Sequence, residues 1–233
     1  MSSLYNGHEK TPQYVYDSYN SLIFSSDKRV FHKMVKKFEL YYEVKDLIGD
    51  IVEFGVFKGG GMGLFLKLTD MYESNSLTTV IGFDFFNKSN TLTELGGINK
   101  SSMENILDRV EHDDLLIKQV DDNLSKINNK RYLLIEGEAV NECKKYILET
   151  PGQRIKLLYM DLDIGEPTYK ILEMLWKKVV KGGIVVFDEY AYNRWDESSG
   201  VDKFLKGIEN EYKFINTKVI APTAYIVKLV NSE

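Results

Sequence analysis

The chain has 233 residues, 43% of them hydrophobic, which is enough for one sizeable core and short for two. Its 30 Lys+Arg and 35 Asp+Glu are intermixed and give a net charge of -5, without the basic block of a nucleic-acid binder. No apolar run reaches membrane-spanning length, residues 1–10 lack a signal-peptide pattern, and the single cysteine, Cys143, excludes an internal disulfide or a multi-cysteine metal site. A cytoplasmic protein is therefore expected, with neither nucleic acid nor membrane as partner.

Residues 1–24 carry Tyr5, Tyr14, Tyr16 and Tyr19 among Asn and Ser, too aromatic for a disordered tail and too polar for a core strand. They suit a segment that packs over a site. After Ser25, Ser26 and Asp27, which can cap a helix, Val30, Phe31, Met34, Val35, Phe38 and Tyr41 recur at helical spacing towards Val44 and Leu47. One or two helices result, and His32 reads as helix surface. The expected organisation is a helical extension over residues 1–48, then a single α/β domain over residues 49–233.

The stretch that organises the domain is residues 50–63, Asp-Ile-Val-Glu-Phe-Gly-Val-Phe-Lys-Gly-Gly-Gly-Met-Gly. An apolar run suited to a buried parallel strand breaks into glycines before a helical pattern of Leu64, Phe65, Leu66 and Leu68. Glycines let backbone approach a ligand closely, and free amides at a helix start can bind an anionic group. A dinucleotide fingerprint wants G-x-G-x-x-G with an acid roughly 20 residues on. Glu53 instead sits two residues before Gly55, closer to the acidic-x-Gly turn of S-adenosylmethionine-dependent methyltransferases. A plain glycine-rich connector is the alternative.

Residues 78–84 predict a second strand ending in Asp84, which can accept hydrogen bonds from both ribose hydroxyls or serve as a turn residue. Residues 85–97 read as a loop long enough for a flexible lid, and residues 101–128 as charged, helix-prone surface that includes His112. Further strands are predicted at 131–136, 155–161 and 183–188, with helices over 140–148, 168–179 and 200–211. Residues 213–220 and 224–230 lack an intervening helix, so they should pair as an antiparallel hairpin at a sheet edge. That order is the class I methyltransferase (Rossmann-like) fold: α/β, with a seven-stranded, mostly parallel sheet.

Asp161 and Asp163 end the fourth strand, and Asp188 and Glu189 end the fifth. Ligands of open α/β sheets bind at the carboxyl ends of strands, and neighbouring strands lie about 5 Å apart, so these carboxylates can converge. A hard divalent cation, Mg²⁺ or Ca²⁺, would relieve their repulsion; helix-cap and turn roles are the alternative. Such a cation can also lower the pKa of a coordinated hydroxyl, which a nearby carboxylate then deprotonates for methylation. Sugars and catechols both offer vicinal hydroxyls.

Glu53-Phe-Gly-Val-Phe-Lys-Gly-Gly60, Gly82-Phe-Asp-Phe-Phe86, Met160-Asp-Leu-Asp-Ile-Gly-Glu-Pro-Thr168, Lys181-Gly-Gly-Ile-Val-Val-Phe-Asp-Glu-Tyr190 and Gly200-Val-Asp-Lys-Phe204 together resemble the macrocin O-methyltransferase family. The resemblance runs from about residue 45 to 205. It implies a Mg²⁺-dependent, S-adenosylmethionine-using sugar O-methyltransferase, a homodimer whose acceptor is a small sugar or glycoside. It further implies that Glu53 and Gly55 hold the methionine part, with Val56, Phe57, Lys58 and Gly59 in the same turn. Asp84, next to Phe85, would take the ribose, and Gly137, Glu138 and Ala139 the adenine edge. Asp161, Asp188 and Glu189 would ligate the metal, with Asp161 beside the cofactor and doubling as base.

Two positions depart from the family's usual pattern: Gly165 stands where many members have Tyr, and Glu189 where many have a second Asp. Tyr190, Tyr192, Arg194 and Trp195 follow and suit a sugar ring, while Trp195 equally suits packing on the last helix. The rival readings are methylation of a catechol-like phenol or a sugar amine, and a non-catalytic S-adenosylmethionine-binding protein.

Overall fold

A computed structural model describes residues 12–231 apart from 94, 95 and 129. Strands β1 (Asp50–Phe54), β2 (Val80–Asp84), β3 (Tyr132–Glu136), β4 (Ile155–Met160), β5 (Val179–Phe187), β6 (Tyr212–Asn216) and β7 (Ala224–Lys228) form one sheet in the order β3-β2-β1-β4-β5-β7-β6. The first five run parallel, and β7 is antiparallel to both β5 and β6. This is the expected seven-stranded class I methyltransferase sheet with its C-terminal hairpin.

Residues along each central strand alternate between two cores. Val52, Phe54, Ile81, Phe83, Leu158 and Met160 face α7 (Ala139–Glu149), α8 (Gly165–Leu175) and α9 (Glu197–Leu205). Ile51, Val80, Leu157 and Tyr159 face the other side, against α2 (Arg29–Val44), α3 (Gly60–Tyr72) and α6 (Ile117–Ser125). Burial on both faces explains why these strands read as near-continuous apolar runs.

The N-terminal segments differ from each other. Helix α2 buries Leu40, Tyr41 and Val44 in the second core, each buried apolar side chain being worth roughly 1.5–3 kcal/mol, so α2 is fixed to the sheet. Helix α1 (Gln13–Phe24) buries none of its residues, so Tyr14, Tyr16 and Tyr19 do not pack over a site as their composition suggests; Tyr5 lies outside the described residues.

The structure shifts several expected boundaries. Residues 88–93 of the expected lid loop are helical (α4, Lys88–Thr93), because Asn87 Oδ1 accepts the amides of Ser89 at 2.9 Å and Asn90 at 3.3 Å. With α5 (Gly97–Leu107) and a single turn over His112–Leu115, α4 encloses a small core of Leu92, Met103, Leu107, Val110 and Leu115. Strand β5 starts at Val179 and absorbs the Lys181-Gly182-Gly183 turn as an irregularity, pairing Val179 with Ile155 but Ile184 with Leu157. Helix α9 begins at Glu197 and ends at Leu205, where Gly200 packs so closely on α8 that a Cβ there would lie 1.9 Å from Gly165 O.

Candidate active site

Every parallel strand ends at the same sheet edge, and backbone bonds carry the pairing one residue past several tips. Gly55 N donates to Phe83 O (2.9 Å), Gly137 N to Asp84 O (2.9 Å), Asp161 N to Phe54 O (2.9 Å) and Asp188 N to Met160 O (3.0 Å). The residues after the strands are therefore held by the sheet itself. Above them lies a cavity of about 320 Å³.

The structure brings together Gly55, Phe57, Asp84, Phe85, Gly137, Ala139, Asp161, Asp188 and Glu189 in the cavity wall. Of the other residues expected there, Glu53, Val56, Lys58, Gly59 and Glu138 do not line it. Each instead holds the local structure. Glu53 points to the opposite core and ion-pairs with Lys37 of α2, under Gly61, where a Cβ would meet its Oε1 at 2.2 Å. Val56 is buried, and Gly59 caps α3 in a left-handed conformation (φ 83°). Lys58 pairs with Asp114 at 2.6 Å, tying the glycine turn to the segment before α6. Glu138 caps α7, accepting the amides of Val140 (3.0 Å) and Asn141 (2.8 Å).

One half of the cavity suits a nucleoside. Asp84 sits at its floor, with Oδ2 accepting Phe57 N and Oδ1 accepting Phe86 N, each at 2.9 Å. Burial pushes its carboxyl up while those amides pull it down. Gly55 also lines this half, and it lies so near the end of β4 that a Cβ would sit 1.9 Å from Asp161 O, so only glycine fits there. Met103, Ile106, Leu107 and Leu115 form an apolar wall that a flat base can lie against. These features fit S-adenosylmethionine. The wall escaped sequence reading because residues 101–128 look charged overall, although Met103, Ile106, Leu107 and Val110 recur at helical spacing.

The other half is acidic. Asp161, Asp163, Asp188 and Glu189 line it, and the buried Glu197 accepts Glu189 N through Oε2 at 2.8 Å. Into this group reaches Lys33 of α2, whose Nζ is 2.8 Å from Asp161 Oδ2 and 2.9 Å from Asp188 Oδ2. Asp188 Oδ1 accepts the hydroxyl of Tyr159, and Lys37 Nζ lies 3.9 Å from the centre of that tyrosine ring. Two lysines one turn apart on α2 therefore serve two strand-tip carboxylate groups.

The titration of these groups follows from the layout. Burial acts to raise Asp161, but Lys33 and then Lys37 hold it below its ordinary value. Burial and then Asp161 push Asp188 up to about 6; burial and then Asp188 push Glu189 up to about 8. Asp163 is raised by burial and then Asp161.

Glu189 has a checkable consequence. Its folded pKa of about 8 exceeds the ordinary 4.5, so between those values the native state binds a proton that the unfolded chain has released, and stability falls as pH rises through that window. Glu189→Gln should therefore gain melting temperature over the unsubstituted protein as pH goes from about 5 to about 9. A gap that shrinks over that range in thermal melts would mean the carboxylate is stabilised by a partner in the folded state.

The expected Mg²⁺ does not fit this arrangement. The Oδ2 atoms that two of its ligands would offer both accept from an ammonium, and among the described residues no group of three or more His, Cys, Asp or Glu is arranged to hold a metal. A dication about 4 Å from that ammonium would meet a repulsion of about 8 kcal/mol at an effective dielectric of about 20, which offsets its attraction to one ionised carboxylate at the same distance. Lys33 was overlooked because the helical pattern counts apolar positions, while Lys33 and Lys37 recur four residues apart on a face that turns to the sheet.

A five-stranded parallel run in this order, an antiparallel terminal hairpin and a cavity over the strand tips define a class I methyltransferase. The chain matches the macrocin-O-methyltransferase (TylF) family model over residues 28–216. It belongs to that family. The fold is similar to CalS11, a calicheamicin methyltransferase, at TM-score 0.65 and 22% identity, covering 98% of this chain and 97% of that one. The apo structure of the same enzyme describes it as a TDP-rhamnose 3'-O-methyltransferase. The O-methyltransferase NovP is similar at TM-score 0.65 and 19% identity, with 86% and 80% covered. An uncharacterized protein of Acanthamoeba polyphaga mimivirus is 26% identical over 178 residues, 70% of this chain; the chain thus spans 64% of that curated relative's length. Among the described residues no helix is long and apolar enough to cross a membrane.

Proposed function

We propose that the protein transfers a methyl group from S-adenosylmethionine to a hydroxyl of a sugar or glycoside. The observation that carries this reading is the adjacency, in one cavity, of a nucleoside half at Gly55, Asp84 and Gly137 and an acidic half at Asp161, Asp188 and Glu189. When bound, the cofactor supplies an electrophilic methyl on a sulfonium. Gly55, Phe57, Asp84, Phe85, Gly137, Ala139 and Asp161 would contact it, with Asp84 at the ribose and Met103, Ile106, Leu107 and Leu115 against the base.

The chain's own chemistry is positioning and proton transfer. Asp161 lies at the boundary of the two halves and takes the proton of the acceptor hydroxyl, its charge preserved by Lys33 and Lys37. Trp195 lines the same cavity and offers an apolar ring to the acceptor, which favours a sugar face over a fully polar ligand. Membership of the macrocin-O-methyltransferase family and the description of CalS11 as a TDP-rhamnose 3'-O-methyltransferase support a sugar acceptor.

Purified protein should bind S-adenosylhomocysteine in calorimetric titration and release it from S-adenosylmethionine when given nucleotide-linked deoxysugars or their glycosides. Turnover only with catechols or amino sugars would redirect the acceptor class. No binding of S-adenosylhomocysteine would remove the methyltransferase reading altogether.

A further inference from the structure

We propose that Lys33 is the positive centre of the acceptor subsite, standing where a divalent cation would otherwise stand, and that methyl transfer proceeds without a metal. The proposal rests on the methyltransferase reading above for its chemistry, though not for its geometry. Helix α2 carries Lys33 over the tips of β4 and β5, where Nζ donates to Asp161 Oδ2 at 2.8 Å and to Asp188 Oδ2 at 2.9 Å. An ammonium has three N–H donors, so one remains after those two bonds. Lys33 also lines the cavity, and its side chain keeps 34% of its exposure, so that donor can reach an acceptor oxygen.

This arrangement performs both tasks that a cation would perform. It neutralises carboxylates that adjacent strands force together, and it draws an acceptor hydroxyl towards Asp161 by a charge-assisted hydrogen bond. The second core fixes the helix that carries it: Leu40, Tyr41 and Val44 are buried, and Lys37 one turn beyond Lys33 pairs with Glu53. The lysine is thus presented by a rigid element.

The bonds balance without a co-reactant. The hydroxyl oxygen forms a bond to the methyl carbon as the carbon–sulfur bond breaks, and that electron pair leaves the sulfonium as a neutral thioether. The hydroxyl proton passes to the Asp161 carboxylate, while Lys33 stays an ammonium throughout and orients the oxygen. Lys33 is a substrate-orienting group.

Mn²⁺ titration of the protein with S-adenosylhomocysteine present, read by electron paramagnetic resonance of the free ion, tests the geometry without needing an acceptor. The unsubstituted protein should show no saturable binding at millimolar Mn²⁺, and Lys33→Met should bind at least about tenfold more tightly once the ammonium is gone. Lys33→Arg, which keeps the charge, should exclude Mn²⁺ as the unsubstituted protein does and guards against a mere folding defect. Turnover should survive EDTA, fall roughly 10- to 100-fold in Lys33→Met with a raised KM for acceptor, and regain rate there on adding Mg²⁺. Saturable Mn²⁺ binding by the unsubstituted protein, or turnover abolished by EDTA and restored by Mg²⁺, would overturn the proposal. Failure to bind S-adenosylhomocysteine would instead strike the methyltransferase reading, and the Mn²⁺ comparison would still decide the role of Lys33.

Discussion

Asp161→Asn should lower turnover by about three orders of magnitude while changing S-adenosylhomocysteine affinity less than about tenfold. The side chain is placed by backbone that the substitution leaves alone, since Asp161 N donates to Phe54 O at 2.9 Å and extends the β1–β4 pairing. An asparagine oxygen can still accept from Lys33, so the neighbouring carboxylate of Asp188 keeps its partner and α2 keeps its seat. What the amide cannot do is take a proton from the acceptor. General-base transfer of this kind contributes 10²- to 10⁴-fold, which sets the expected size. Because Lys33 and Lys37 hold the Asp161 carboxyl below its ordinary value against the effect of burial, the carboxylate is ionised across the neutral range, and the rate should not fall between about pH 8 and pH 6 through this group. Initial rates of S-adenosylhomocysteine formation and calorimetric titration separate the two effects. If affinity collapses together with rate, Asp161 is a structural residue of the strand tip.

The strands were legible in the sequence because both sheet faces are covered, so Ile51, Val52 and Phe54, or Leu157, Leu158 and Met160, read as unbroken apolar runs that no surface element would carry. The glycine turn was legible for a related reason: Gly55 and Gly59 have φ of 88° and 83°, a region that side chains rarely enter. Glu53 shows where the reading stops. Motif position alone places it with the cofactor, yet strand alternation puts residue 53 on the same face as Ile51, and there it meets Lys37. The acidic cluster was found by strand ends, but its counter-charge comes from residue 33, more than a hundred positions earlier, and only packing of α2 on the sheet makes that distance irrelevant. Glu197 was missed because the expected helix began at residue 200, whereas the folded helix begins at Glu197 and buries that side chain against the Glu189 amide.

Asp84→Ala should weaken S-adenosylhomocysteine binding by about 100-fold, or roughly 2.7 kcal/mol, with the protein still folded. Two effects add. The carboxylate at the end of β2 is the group in the cavity floor suited to a pair of ribose hydroxyls, and a hydrogen bond to a charged group contributes about 1.5–3 kcal/mol net of the water it replaces. The same two oxygens accept the amides of Phe57 and Phe86, both held at positive φ, 54° and 49°. Removing them frees two non-glycine residues from a conformation they otherwise avoid, so the glycine turn and the β2 turn would relax away from the cavity together. Asp84→Asn separates the contributions: its oxygen can serve one amide, but its NH₂ would face the other N–H donor, leaving one turn held and one released, with an intermediate loss of about tenfold. A melting temperature that drops in both variants while affinity stays constant would make Asp84 a turn residue alone. Affinity that falls in the order Ala, then Asn, without a matching order in stability requires a hydroxyl-bearing ligand at that carboxylate, because the relaxed turns by themselves would move both quantities together.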